Sequence, residues 1–152
     1  MTKDGFFTAP MAIGLSLLSA LAGGAIVSAV ASARLQSPVK RGKSAKPWRM
    51  SKWVIHDKFF KCQGLVGQGN TVGEQTADAL QRLDNILTEA GLSKQDLLSV
   101  SIYLSDYDHK FDAMNQVYDA WVDQENAPVR ICVQAYMGPQ YHVEIQAEAR
   151  AD

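Results

Sequence analysis

The chain has 152 residues and a formal net charge of −1, with 47% apolar and 20% charged residues. That length suits one domain of ordinary size, and the apolar share excludes global disorder. Two cysteines, Cys62 and Cys132, are too few for a disulfide-built scaffold, and His56, His109 and His142 lack zinc spacing, so no metal is expected.

The near-neutral total hides two unlike parts. Residues 1–49 carry seven Lys/Arg against one acid, Asp4, whereas residues 50–152 carry eight Lys/Arg against fifteen Asp/Glu. An acidic main part argues against gripping a nucleic acid backbone, and no nucleic acid partner is expected.

After a short N-terminus (1–8), residues 9–33 contain no charge. A helix of that length would reach roughly 37 Å, enough for the ~30 Å hydrocarbon core. Ala20, Gly24 and Ser28 follow the small-xxx-small spacing of close-packed membrane helices. The segment reads as a single transmembrane anchor. The alternative is a signal peptide cleaved after Ala31-Ser32-Ala33, with export of the domain. The basic residues after Arg34 favour the anchor with the domain on the cytoplasmic side. Absence of Arg before Arg34 disfavours an organelle targeting segment. Residues 34–48 mix Ser, Pro, Gly and Lys and read as a flexible basic linker, whose charges in an anchored protein lie near anionic headgroups.

The globular domain is expected over 49–152. Trp53-Val54-Ile55 and Phe59-Phe60 flank Asp57-Lys58 as a hairpin. Gly64, Gly67 and Gly69 follow in a loop that matches no phosphate-binding motif. Thr71 and Glu74 form a capping box, and Thr76, Leu80, Leu83, Leu87 and Ala90 recur at helical spacing up to Gly91, so a helix is predicted over 72–90. Leu98, Val100, Ile102 and Leu104 alternate as a strand. Asp106 or Asp108 can cap a second helix with Phe111, Met114, Tyr118 and Trp121 on its inner stripe, and Pro128 stops it. Two strands close the chain. In 130–136, Ile131, Val133 and Ala135 are predicted to face the helices, with Arg130, Cys132 and Gln134 opposite. In 142–149, Val143, Ile145, Ala147 and Ala149 face the helices and Glu144 points away. The order implies an α+β layer, a sheet with two helices on one face, and a shared polar face carrying Arg130 and Glu144.

Three ordered pieces carry a resemblance. They are Gln75-Thr76 through Ala90-Gly91, then Met114-Asn115-Gln116-Val117-Tyr118-Asp119-Ala120-Trp121, then Pro128-Val129-Arg130-Ile131-Cys132-Val133 followed by Val143-Glu144-Ile145. Over roughly 49–152 the chain resembles the RidA/YjgF family of trimeric imine deaminases. The resemblance implies a chorismate-mutase-like subunit, a homotrimer whose sheets form a central barrel, and sites in clefts between subunits. It implies hydrolysis of enamine/imine acids of the 2-aminoacrylate type to 2-keto acids and ammonia, without metal or organic cofactor. Arg130 matches the carboxylate-binding Arg, Glu144 the acid/base residue and Cys132 a Cys beside the Arg. Asn115 matches a cleft-shaping position, and Gly64 a position of the cleft loop. Two departures stand out. No Tyr lies in register near Met50-Ser51-Lys52 to close the pocket, and Cys62-Gln63-Gly64 stands where the family tends to read S-G-Q.

Read without the resemblance, Arg130 is an ion-pair residue at an interface, with Glu144 as one partner, and Cys132 is a small buried side chain. The alternative function is a non-catalytic trimeric module that binds a carboxylate or assembles at a membrane.

Overall fold

The structure is a computed structural model and describes residues 38–152. The segments expected over 1–8 and 9–33 lie outside these residues. Among the described residues no helix is long and apolar enough to cross a membrane.

The described chain forms one mixed sheet with two helices. Strands β1 (Lys40–Lys43), β2 (Ser51–His56), β3 (Phe59–Cys62) and β4 (Leu65–Val66) precede helix α1 (Val72–Glu89). Strand β5 (Leu97–Leu104), helix α2 (Tyr107–Trp121), β6 (Val129–Gln134) and β7 (Val143–Arg150) complete it. The sheet order is β1-β2-β3-β7-β5-β6, and β4 also pairs with β7. Only β5 and β6, joined through α2, run parallel. Such a connection needs a crossover, and the helix supplies it.

The hairpin forms as predicted. His56 lies opposite Phe59, which leaves Asp57-Lys58 as a two-residue turn, and Asp57 takes a left-handed φ of 52°. Asp tolerates that region because its short side chain can bond locally. Both halves of the capping box on α1 are present: the Glu74 N–H donates to Thr71 Oγ1 at 3.2 Å, and the Thr71 N–H donates to Glu74 Oε2 at 3.1 Å. Gly91 at φ 78° ends the helix in the left-handed conformation that a glycine adopts without a Cβ penalty. Asp106, not Asp108, caps α2, accepting from the His109 N–H.

Residues 40–43, expected within the flexible linker, are instead an edge strand. Lys40 lies opposite Ile55, Arg41 opposite Val54 and Gly42 opposite Trp53. Gly42 permits this pairing, because a Cβ there would collide with the Trp53 indole. Residues 40–43, placed in the linker by the sequence, thus belong to the sheet of the unit Pro38–Asp152.

The core lies between sheet and helices. Phe60, Val100, Ile102, Leu104, Val143 and Ile145 from the sheet meet Leu80, Leu83, Leu87 and Met114 from the helices, all fully buried. Leu98, expected on the inner face of β5, is exposed. The register slips between Leu97 and Ser99, so a bulge turns Leu97 inward in its place.

Candidate active site in two halves

The facing of β6 is opposite to that expected from its alternation. In the parallel pair, Val100 lies beside Arg130, Ile102 beside Cys132 and Leu104 beside Gln134. Residues paired side by side share a sheet face. Since Val100, Ile102 and Leu104 are buried beneath the helices, Arg130, Cys132 and Gln134 stand on the helix side. Val129, Ile131 and Val133 point outward, with Ile131 56% exposed.

Arg130 is held by α2. Its Nη1 donates to Asn115 Oδ1 at 2.6 Å, and its guanidinium carbon lies 4.8 Å from the Tyr118 ring centroid and 5.9 Å from that of Phe111. Phe111, Asn115 and Tyr118 are spaced four and three apart, so they occupy one helical face. Stacking on aromatic faces fixes the plane of a guanidinium and leaves its remaining N–H edge free. Among the described residues Arg130 forms no ion pair. A fixed, unneutralised guanidinium can bind a carboxylate through two parallel hydrogen bonds. Cys132 lies two residues along the same face. Partial burial pushes its thiol up and the Arg130 charge offsets part of that shift, which disfavours the nucleophilic thiolate.

Glu144 lies on the other face. It pairs with Tyr103 of β5 and Val66 of β4, is half-buried, and likewise forms no ion pair among the described residues. Its carboxylate rests against Gly64, where a Cβ would occupy the place of Oε1. A side chain at Gly64 would force that carboxylate, the far end of a flexible chain, to move aside. Next to it, Gln63 Oε1 is buried with no hydrogen-bond partner.

The site residues therefore fall into two groups. Arg130, Asn115 and Cys132 come together under α2, and Gly64 and Glu144 come together on the outer face. One chain does not bring Arg130 to Glu144, so the shared polar face expected from the sequence does not exist. The sequence reading also missed Phe111 and Tyr118 as partners of Arg130, assigning them to core packing alone. Their common helical face with Asn115 was the available signal. Among the described residues no group of His, Cys, Asp and Glu could hold a metal ion.

Comparison with known proteins supplies the context. The family model described as endoribonuclease L-PSP matches residues 51–151. The chain is 46% identical over 103 residues to the RutC family protein YoaB of Escherichia coli K12, covering 66% of this chain and 90% of YoaB. It is 40% identical over 104 residues to the mitochondrial protein mmf1 of Schizosaccharomyces pombe, covering 64% of this chain and 63% of mmf1. Among solved structures, NMB1025 of Neisseria meningitidis, a YjgF family member, superposes with a TM-score of 0.71 at 34% identity, covering 76% of this chain and 96% of that one.

Proposed function

This chain belongs to the RidA/YjgF (endoribonuclease L-PSP) family, and on that premise we propose that it hydrolyses enamine/imine acids of the 2-aminoacrylate type to 2-keto acids and ammonia. The observation that carries the reading is Arg130, held by Asn115 and Tyr118 and, among the described residues, neutralised by no carboxylate. Arg130 binds the substrate carboxylate, and Glu144 of a neighbouring copy completes the pocket, with the Gly64 loop beside it and Asn115 and Cys132 lining the Arg130 side. The assembly is a homotrimer. The exposed apolar row Val129, Ile131 and Val133 supports association, since such a row on a free-standing edge strand would be an aggregation hazard.

The chemistry follows from these groups. The enamine tautomerises to the imine, and water adds to the imine carbon. Glu144 accepts a proton from that water and passes it to the nitrogen. The tetrahedral carbinolamine then collapses, the C–N bond breaks, and ammonia leaves as the water oxygen becomes the keto oxygen. No metal or organic cofactor takes part.

RNA cleavage, named in the family description, is disfavoured because residues 50–152 carry eight basic against fifteen acidic residues, and the cations of 40–43 lie on β1, at the other end of the sheet from β6 and Arg130. A non-catalytic carboxylate-binding module would keep Arg130 but need no Glu144. Keto-acid release from freshly generated 2-aminoacrylate separates these. Arg130→Ala is expected to lose at least about a hundredfold in kcat/KM, and Glu144→Gln about 10²–10⁴-fold in kcat. Equal rates for wild type and Arg130→Ala would discard the deaminase reading, and binding without turnover in the wild type would favour the module.

A further inference from the structure

We propose that the edge strand β1 and the turn after it form a docking surface for an anionic phospholipid bilayer. This inference is independent of the deaminase reading. The sequence contains no acidic residue from Gly5 to His56. Within that span the structure places Lys40, Arg41, Lys43, Lys46 and Arg49, all exposed, along β1 and the turn into β2. Trp48 sits among them and is 78% exposed.

A free-standing edge needs one or two lysines to deter strand pairing. Five cations exceed that need, and an exposed Trp does not serve it; Glu89, which bonds the Trp53 indole packed on Gly42, is paired with Lys52. Cations flanking an exposed indole match the headgroup zone of an anionic membrane, where Trp rings sit and basic side chains meet lipid phosphates. The pairing of β1 with β2 is what gives the charges consequence. Lys40, Arg41 and Lys43 belong to the sheet and Lys46 and Arg49 to the turn that joins its two strands, so contact through them fixes which edge of the domain meets the surface. The charge-free run 9–33 lies just ahead in the sequence, which favours a bilayer over other polyanions as the occupant.

The test uses the full chain with vesicles of phosphatidylcholine alone or with phosphatidylserine added, some carrying a bilayer-borne quencher of Trp fluorescence. The comparison protein has Lys40, Arg41, Lys43, Lys46 and Arg49 all changed to Gln, its folding checked by circular dichroism. The wild type is expected to prefer the anionic vesicles by about a hundredfold or more, to lose that preference at high salt, and to show quenching that Trp48→Phe removes. The five-fold variant is expected to bind both vesicles alike. Should that variant fail to fold, the salt dependence and the Trp48 quenching of the wild-type chain still decide. Equal binding of the wild type to both vesicles with Trp48 unquenched would overturn the proposal. So would binding of single-stranded RNA through the same residues without any preference for anionic vesicles.

Discussion

Arg130 and Glu144, the two candidate reacting groups, stand on opposite faces of the sheet. Arg130, Cys132, Asn115, Gly64 and Glu144 are candidates on motif order alone, which survives without coordinates. Their grouping does not follow from it. Alternation along 130–136 gives two faces but not which face is inner. The usual assumption, apolar face under the helices, fails for β6 because Ile131 and Val133 are turned outward. The parallel register with β5 decides the matter, and register is a long-range property. Gly64 yields a test at this scale. Any Cβ there displaces the Glu144 carboxylate. Gly64→Ala is therefore expected to lower kcat for keto-acid release at least about tenfold while costing only about 1–3 kcal/mol in denaturant melts. Unchanged turnover in a folded Gly64→Ala protein would show that the Glu144 position is not critical. Cys132→Ser is expected to keep activity within about threefold, since partial burial disfavours the thiolate that a nucleophile would need.

At the scale of elements, local chemistry was read well where it acts over one helical turn and poorly where it depends on a partner strand. The box at Thr71 and Glu74 is a spacing of three, visible in any window. Strand β1 was hidden, because a four-residue run of Lys, Arg, Gly and Lys has no apolar face and forms only because β2 offers an open edge. The cap makes a pH prediction. The backbone N–H groups of Asn70 and Thr71 donate to Glu74 and hold its carboxyl below the usual glutamate range. A depressed folded-state pKa means that its contribution is present above the unfolded glutamate value and is lost as pH falls through the folded one. The stability difference between wild type and Glu74→Gln is thus expected at neutral pH and should vanish in acid. Thr71→Ala, which removes the reciprocal bond, is expected to cost about 1 kcal/mol by urea unfolding at neutral pH.

At the scale of the whole molecule, the opposite facing of Arg130 and Glu144 becomes an argument about assembly. A pocket needing both must take Arg130 from one copy and Glu144 from another. Arg130→Ala and Glu144→Gln homotrimers would then each be inactive for different reasons. In a ring of three, any mixed trimer contains one interface where an intact Arg130 meets an intact Glu144. Unfolding and refolding the two variants together in equal amounts should leave about three quarters of trimers mixed, with one good site in three, and so recover about a quarter of wild-type activity. The same variants refolded separately and then combined should stay inactive unless subunits exchange. If one chain supplied both groups, mixing would restore nothing. Changing Ile131 to Asp provides the control: a charge on the outward row should block association. The mixture carrying it should sediment as monomer and recover no activity, even though neither half-site has been touched.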